Sequence, residues 1–454
     1  MMFHNPATHL AQRFFLGLWL TLGALFPASP NSLAQPTVTN TNYSLVVKAA
    51  RSDSLYKQGE EVLFRVTLTH GKEPVGAAAV DWVISKDGVP PTNHGTAVIK
   101  NGLGVAKGML EEPGFLLCRA TFKTPEGETV TAFGGAGVDP LEIQPSLPAP
   151  DDFDAFWSSQ KEKLAAVAIN SKLTQVTPPK PGVESFDLQV DCVGAPVSGY
   201  YSKPAEAKAK GLPAILLVHG AGVRSSDLGS TVVWAKDGFL ALDINAHGIP
   251  NGKPPEFYSD LASGELKGYS IRGRESRDTL YFLGMYLRVI RAIDFLAAQP
   301  EWDGRTLVVR GSSQGGAQAI AAAGLDSRVS FFAAMVPAMC DHTGAAAGRV
   351  SGWPKLVPNG PDGKPDAGVR EAARYFDGMN FASRAKAPAI FTVGFIDTTC
   401  PPTSVYATYN ALKSPKTIYN DPPSKHENTP GSATAVREAI LQHVKSRSVT
   451  TTGL

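Results

Sequence analysis

Arg310-Gly311-Ser312-Ser313-Gln314-Gly315-Gly316 contains the pattern G-x-S-x-G. Thr306-Leu307-Val308-Val309 lies before it, a short apolar run suited to a buried strand. Small residues from Gly316 to Gly324 follow, suited to a helix packed close on a sheet. A strand, a sharp turn and a helix are the context a nucleophile elbow needs, with Ser313 held at strained backbone angles and its hydroxyl exposed. Gly311 and Gly315 lie two residues either side, where a larger side chain would clash. A Gly/Ser-rich turn shares the short pattern, so the reading depends on partners for Ser313.

A serine hydroxyl is a weak nucleophile. It needs a base in hydrogen-bond reach, and the base needs a third group to fix its tautomer. In this architecture the chain order is Ser, acid, His, each at the carboxyl end of a strand. Asp397 lies just past the apolar run Ala389–Gly394, and His426 just past the shorter run Thr417-Ile418-Tyr419. His443 comes later, inside a predicted helix over about 434–446, where it reads as a surface residue. The rival acid is Asp341, beside His342. Asp397 is preferred because the next strand then delivers His426. For an oxyanion, the residue after the nucleophile supplies one amide, that of Gln314, and the loop after the first parallel strand supplies the other, best placed at Ala221. His219 sits beside that loop, which favours a structural role.

Outward from this centre, α and β segments alternate from about residue 150 onward, which predicts a mostly parallel sheet covered by helices. Asp151-Asp152-Phe153-Asp154-Ala155-Phe156-Trp157 opens a helix to about Val167, acidic residues in its first turn suiting the helix dipole. Residues 185–190 and 197–202 read as an antiparallel pair. Ala214–Val218 and Phe239–Ile244 read as strands, the second ending at Asn245-Ala246-His247-Gly248. Asp278 or Thr279 is expected to cap a long helix through Ala298, with Phe282, Tyr286, Val289, Ile293 and Leu296 on its core face. Residues 341–370 form a long Gly/Pro-rich loop. From Tyr43 to Val138 the pattern is β: short alternating runs, punctuated by Lys-Asp-Gly and Pro-Glu-Gly turns, suggest an immunoglobulin-like sandwich of about seven strands with Trp82 in its core.

The chain has 454 residues and a formal charge of +2. That is enough for two or three domains, and the absence of a basic excess argues against nucleic acid as a partner. In residues 1–34, Arg13 precedes a short apolar run, then prolines and small residues ending at Ala34. This is the layout of a secretory signal peptide, so the mature protein is expected in the periplasm or outside, without a membrane anchor. The predicted domains are a β-sandwich over 38–140 and a catalytic unit over 141–448. Cys118, Cys192, Cys340 and Cys400 form no compact disulfide framework. No CxxC or HExxH occurs, so neither a metal site nor a cofactor is expected.

The catalytic half resembles the acetyl xylan esterase and cephalosporin-C deacetylase family of α/β-hydrolases (carbohydrate esterase family seven). The matching pieces include 151–157, Val218-His219-Gly220, Tyr269-Ser270-Ile271-Arg272-Gly273, Gly311-Ser312-Ser313-Gln314-Gly315-Gly316, Asp397-Thr398-Thr399-Cys400-Pro401-Pro402 and His426-Glu427. They span about Leu147 to His443. The resemblance implies Ser313, Asp397 and His426 as a triad, in agreement with the residue reading. Two positions depart from the family pattern. Asn245-Ala246-His247-Gly248 replaces the family's usual Arg-Gly-Gln-Gly, and Ala221 replaces a tyrosine. The sandwich lies outside the usual family core and is expected to disturb the ring-shaped hexamers such proteins form, leaving the oligomeric state open.

These observations predict an exported serine esterase acting on acetylated carbohydrate without a cofactor. A peptidase of the prolyl-oligopeptidase kind shares the catalytic fold but usually carries a propeller, for which 43–138 is too short. A non-catalytic carbohydrate-binding protein on the same scaffold would have no need of an intact triad.

Overall fold

Alternation builds the N-terminal sheet. In Val62–His70 the apolar residues Val62, Phe64, Val66 and Leu68 point inward and Arg65 and Thr67 outward, the period-two pattern of a strand with one buried face. The computed structural model describes residues 42–449, so the expected signal peptide lies outside the described residues. Nine strands run through the first hundred: β1 Tyr43–Ala49, β2 Leu55–Tyr56, β3 Val62–His70, β4 Glu73–Pro74, β5 Ala77–Lys86, β6 Thr92–Lys100, β7 Leu103–Gly108, β8 Gly114–Lys123 and β9 Thr129–Val138. Seven are full strands, and β2 and β4 are two-residue additions. They pair in the order β1-β3-β7-β6-β5-β8-β9-β2, with β4 beside β3. β1 comes back alongside β9, so the sheet folds over its own core of Phe64, Val66, Leu68, Ile84, Ile99 and Val138. Trp82 packs at the margin of that core, half-buried. Its indole fills the space over Gly95, where a Cβ would lie 2.6 Å from the ring.

The second sheet is read from buried runs rather than alternation. It contains β10 Ser171–Val176, β11 Val183–Val190, β12 Val197–Pro204, β13 Leu212–Val218, β14 Leu240–Ile244, β15 Trp302–Ser312, β16 Phe331–Met335, β17 Ala389–Gly394 and β18 Lys416–Asp421. Their order is β10-β11-β12-β14-β13-β15-β16-β17-β18. The first three are antiparallel, and every pairing from β14 to β18 is parallel. Strands buried on both faces lose the alternation, which is why β14, β16 and β17 are buried at every position and largely apolar, Asp243 in β14 and Thr392 in β17 being the polar members. Nine helices accompany this sheet among the described residues: α1 Phe153–Ala165, α2 Leu228–Lys236, α3 Pro255–Ser263, α4 Phe282–Ala297, α5 Gln314–Leu325, α6 Ala367–Arg374, α7 Gly378–Ala382, α8 Pro402–Ala411 and α9 Pro430–Val449. Helices α2 and α9 cover one face through Trp234, Val436 and Ile440 against Ile215, Leu217 and Val308. Helices α1, α4 and α5 cover the other. Strand order reverses around β13, and ligands in such sheets sit at the carboxyl ends of the strands beside that reversal.

Two expectations need correction. Helix α4 begins at Phe282, not at a cap on Asp278 or Thr279. Thr279 is held in a preceding turn, its hydroxyl donating to the Gly273 carbonyl at 3.0 Å. The last helix starts earlier, at Pro430, because proline at a first helical position has no missing bond to regret. Strand β10 went unread because its residues are almost all exposed, so it has no apolar face to signal it.

The two sheets belong to one compact unit. Phe115 of β8 is 1% exposed and packs with the second sheet's core. Its ring lies 4.9 Å from that of Phe395 and 5.4 Å from that of Tyr406. Full burial of such a ring stabilises by roughly 1.5–3 kcal/mol. Gly135 of β9 is a close approach: a Cβ there would lie 2.4 Å from the Phe395 carbonyl oxygen. Asp87, in the β5–β6 turn, accepts a hydrogen bond from the Thr403 hydroxyl at the start of α8. Asn410 donates to the carbonyls of Pro140 and Ile143 at 3.0 and 2.8 Å, tying α8 to the connector.

Candidate active site

Ser313 has φ 57° and ψ −119°, between β15 and α5. A non-glycine residue at such angles costs of the order of 1–3 kcal/mol and persists only where its surroundings enforce it. Both of its backbone groups are pinned: its amide donates to the Met335 carbonyl at 2.9 Å, and its carbonyl accepts from Ala338 at 2.9 Å. The flanking glycines are required by space. A Cβ at 311 would lie 2.2 Å from the Gly315 oxygen, and one at 315 would lie 2.1 Å from the Val218 oxygen.

The structure brings the three expected side chains together. His426 Nε2 lies 2.8 Å from Ser313 Oγ, and His426 Nδ1 lies 2.7 Å from Asp397 Oδ2. A carboxylate only accepts, so Nδ1 carries the proton and Nε2 accepts from the serine hydroxyl. Asp397 is 3% exposed. Its other oxygen accepts from the amides of Thr399 and Cys400 at 2.8 and 2.9 Å, which fixes the carboxylate plane. Asp341 is elsewhere, fully buried against Arg349 at 3.1 Å and hydrogen-bonded by Ser146. His443 is not a plain surface residue: it stacks on Phe331 with ring centroids 5.0 Å apart, and its Nε2 lies 3.1 Å from the Ser330 hydroxyl.

The amides of Ala221 and Gln314 make no hydrogen bond to any described residue. The next amide, Gly222, is already engaged: it donates to the Tyr269 hydroxyl at 3.1 Å, which donates in turn to Gln314 Oε1 at 2.8 Å. His219 sits beneath this turn, its Nδ1 2.6 Å from the Gly220 carbonyl and its Nε2 accepting from the Ala246 amide at 3.1 Å. That is a structural placement. Burial pushes its pKa down to about 3, so the ring stays neutral and both bonds hold at ordinary pH.

The sequence pattern of the acetyl xylan esterase (AXE1) family matches residues 141–445, two-thirds of the chain. The chain belongs to the acetyl xylan esterase family. It is therefore a serine carboxylic-ester hydrolase with a carbohydrate esterase function. The acetyl esterase Axe7A of Xylanibacter ruminicola is 30% identical over 420 residues, covering 91% of this chain and 93% of that protein. That match is longer than the family segment and reaches into the N-terminal sheet. An acetyl xylan esterase from a Paenibacillus species is 29% identical with TM-score 0.58, covering 67% of this chain and 98% of its own. Acetyl xylan esterase 1 from a Thermoanaerobacterium species shares the fold at 24% identity and TM-score 0.57, covering 67% of this chain and 97% of its own.

In this esterase the divergent turn after β14 has its own bonding. His247, 3% exposed, places Nε2 3.2 Å from the Gly222 carbonyl and Nδ1 2.8 Å from the Tyr281 hydroxyl. Burial pushes its pKa down to about 4, so one nitrogen donates to Gly222 and the other accepts from Tyr281. Sequence reasoning passed over His247, Tyr269 and Tyr281 as site residues. His247 follows β14, Tyr269 and Tyr281 both lie in the connection from α3 to α4, and no spacing pattern links them. One group among the described residues has donors close enough for a metal: Asp397, Cys400 and His426, within 4.8 Å of one another. Its Asp and His atoms are already spent on the chain to Ser313, and burial raises the Cys400 thiol well above its usual range. That donor set favours a proton relay over an ion.

Proposed function

We propose that the protein removes acetyl groups from acetylated xylan or xylo-oligosaccharides by acetyl transfer to Ser313. The hydrogen-bonded chain Ser313–His426–Asp397 carries this reading. Ser313 Oγ attacks the acetyl carbonyl carbon as its proton passes to His426 Nε2. Asp397 keeps the ring oriented and offsets the imidazolium charge. The tetrahedral oxyanion lies against the amides of Ala221 and Gln314, free of other partners among the described residues. The carbon–oxygen ester bond then breaks, and His426 returns the proton to the leaving sugar hydroxyl. Water, giving its proton to His426, attacks the acetyl-enzyme and releases acetate and Ser313.

The same reading takes residues 1–34 as a signal peptide cleaved after Ala34 and the mature protein as secreted or periplasmic. Intact mass of exported protein tests that directly. It takes 38–140 as an immunoglobulin-like sandwich and 141–448 as the catalytic domain. The deciding experiment is acetate release from acetylated xylo-oligosaccharides. Ser313→Ala should reduce it by roughly 10⁶, and a variant that keeps full activity removes Ser313 from the mechanism.

A further inference from the structure

A cleft of about 410 Å³ adjoins the elbow on the α2 side of the sheet. Leu217, Arg224, Asp243, Arg310, Ser312 and Asn428 line it. Ser312 precedes the nucleophile, and Asn428 lies two residues past His426. Asn428 Nδ2 donates to Ser312 Oγ at 2.8 Å, which joins the cleft wall to the serine turn. Arg310 projects to this side because it alternates with Gly311 along β15 and shares its face with Val308.

Among the described residues no ion pair joins the two arginines of this cleft to its two aspartates. Neither the Arg224 nor the Arg310 guanidinium makes a hydrogen bond or ion pair with any described residue, although Asp243 lies near enough to favour the charge of Arg310. Arg310 is part-buried, and burial pulls its pKa down, the sign of a cation lacking solvent. Asp243, on the next strand but one, is 6% exposed and accepts from the Asp227 amide at 3.2 Å, not from a guanidinium. Burial raises its pKa to about 7, so near neutrality it offsets Arg310 only in part. The Asp227 carboxylate is committed to the start of α2, accepting from Gly229 N at 2.8 Å and Ser230 Oγ at 2.7 Å. A part-buried guanidinium without a hydrogen-bonded anion, as at Arg310, is costly, and the planar fork of Arg310 and of the exposed Arg224 matches a carboxylate.

We propose that this cleft is a carboxylate subsite that seats a uronic-acid substituent of the sugar whose ester is cleaved at Ser313. The inference rests on the esterase reading above and narrows it to acidic, side-chain-bearing xylan. Ser225 and Asn428 supply the neutral polar groups a sugar ring needs at the rim.

Two arms test it. In the first, kcat/KM is compared for acetylated xylo-oligosaccharides with and without one uronic-acid side chain. The wild type should prefer the acidic substrate about tenfold, the size of a charged hydrogen bond, and the preference should shrink with added salt. Arg310→Gln and, separately, the exposed Arg224→Gln should reduce it toward unity, with folding verified by circular dichroism. In the second arm, Ser313→Ala binds the corresponding deacetylated oligosaccharides in calorimetry, and the acidic one should bind more tightly. Equal kcat/KM for both substrates in the wild type overturns the proposal, as does a preference that survives both arginine substitutions. Inhibition by free acetate that depends on Arg310, without any uronate preference, also overturns it, by making the cleft a product site. Absence of acetate release from either substrate would count against the esterase reading, while the binding arm still decides the subsite.

Discussion

His247 shows how one side chain can reach the reacting atoms through a neighbour. It touches neither Ser313 nor His426, yet its ring ties the Gly222 carbonyl to Tyr281 and so holds the turn that presents the Ala221 amide. His247→Leu keeps the volume roughly and loses both bonds. Steady-state kinetics should show kcat lowered on the order of tenfold to a hundredfold with KM little changed, as for a misplaced transition-state donor. Equal kcat in the variant would leave Tyr269 as the support of that turn. The hydrogen-bonded set Ser313, His426 and Asp397 was legible because chain order and strand ends constrain it jointly. Histidine placement outside that order was not, as His443 shows: a ring stacked on Phe331 from the last helix, with Lys445 and Arg447 close by along the chain, looks like surface in the sequence.

At the level of elements, the β15–α5 junction is the best specified part of the chain. Sequence anticipated strand, turn and helix because Gly311 and Gly315 have no substitute at their contact distances. Gly315→Ala would push a methyl group into the Val218 carbonyl, 2.1 Å away. We expect a loss of about 1–3 kcal/mol or more, read as a lowered denaturation midpoint, together with lost activity. Retention of both would mean the turn relaxes. Element ends were less legible. The start of α4 was misplaced because Thr279 can cap a helix or close a turn, and only the Gly273 carbonyl, six residues back, decides between them. The buried strands were easy to find, whereas β10, exposed along its length, carried no pattern.

For the whole molecule, the contact between the two sheets sets an acid–base property. Asp87 is part-buried at that contact, and burial raises its pKa to about 6, Thr403 and the Val350 amide offsetting part of the effect. The folded state therefore holds this proton more tightly than the unfolded chain. Stability from this group is fully present below about pH 4 and is lost as pH rises through about 6, roughly 3 kcal/mol in all. Asp87→Asn should reduce the fall in unfolding free energy between pH 4 and pH 7, followed by denaturant titration, by roughly that amount, and an unchanged pH profile would show that Asp87 is not charged at the cost its burial implies. The order in which the chain is made gives the same contact a second meaning. Phe115, Gly135 and Asp87 are synthesised long before Phe395 and Thr403, and Asp87 and Thr403 are separated by 316 positions. The seat for the acid-bearing loop thus exists well before the loop arrives. Closing so large a separation is slow, so the hydrogen-bonded chain behind the serine is completed late, and a partly folded chain carries the serine without a finished relay behind it.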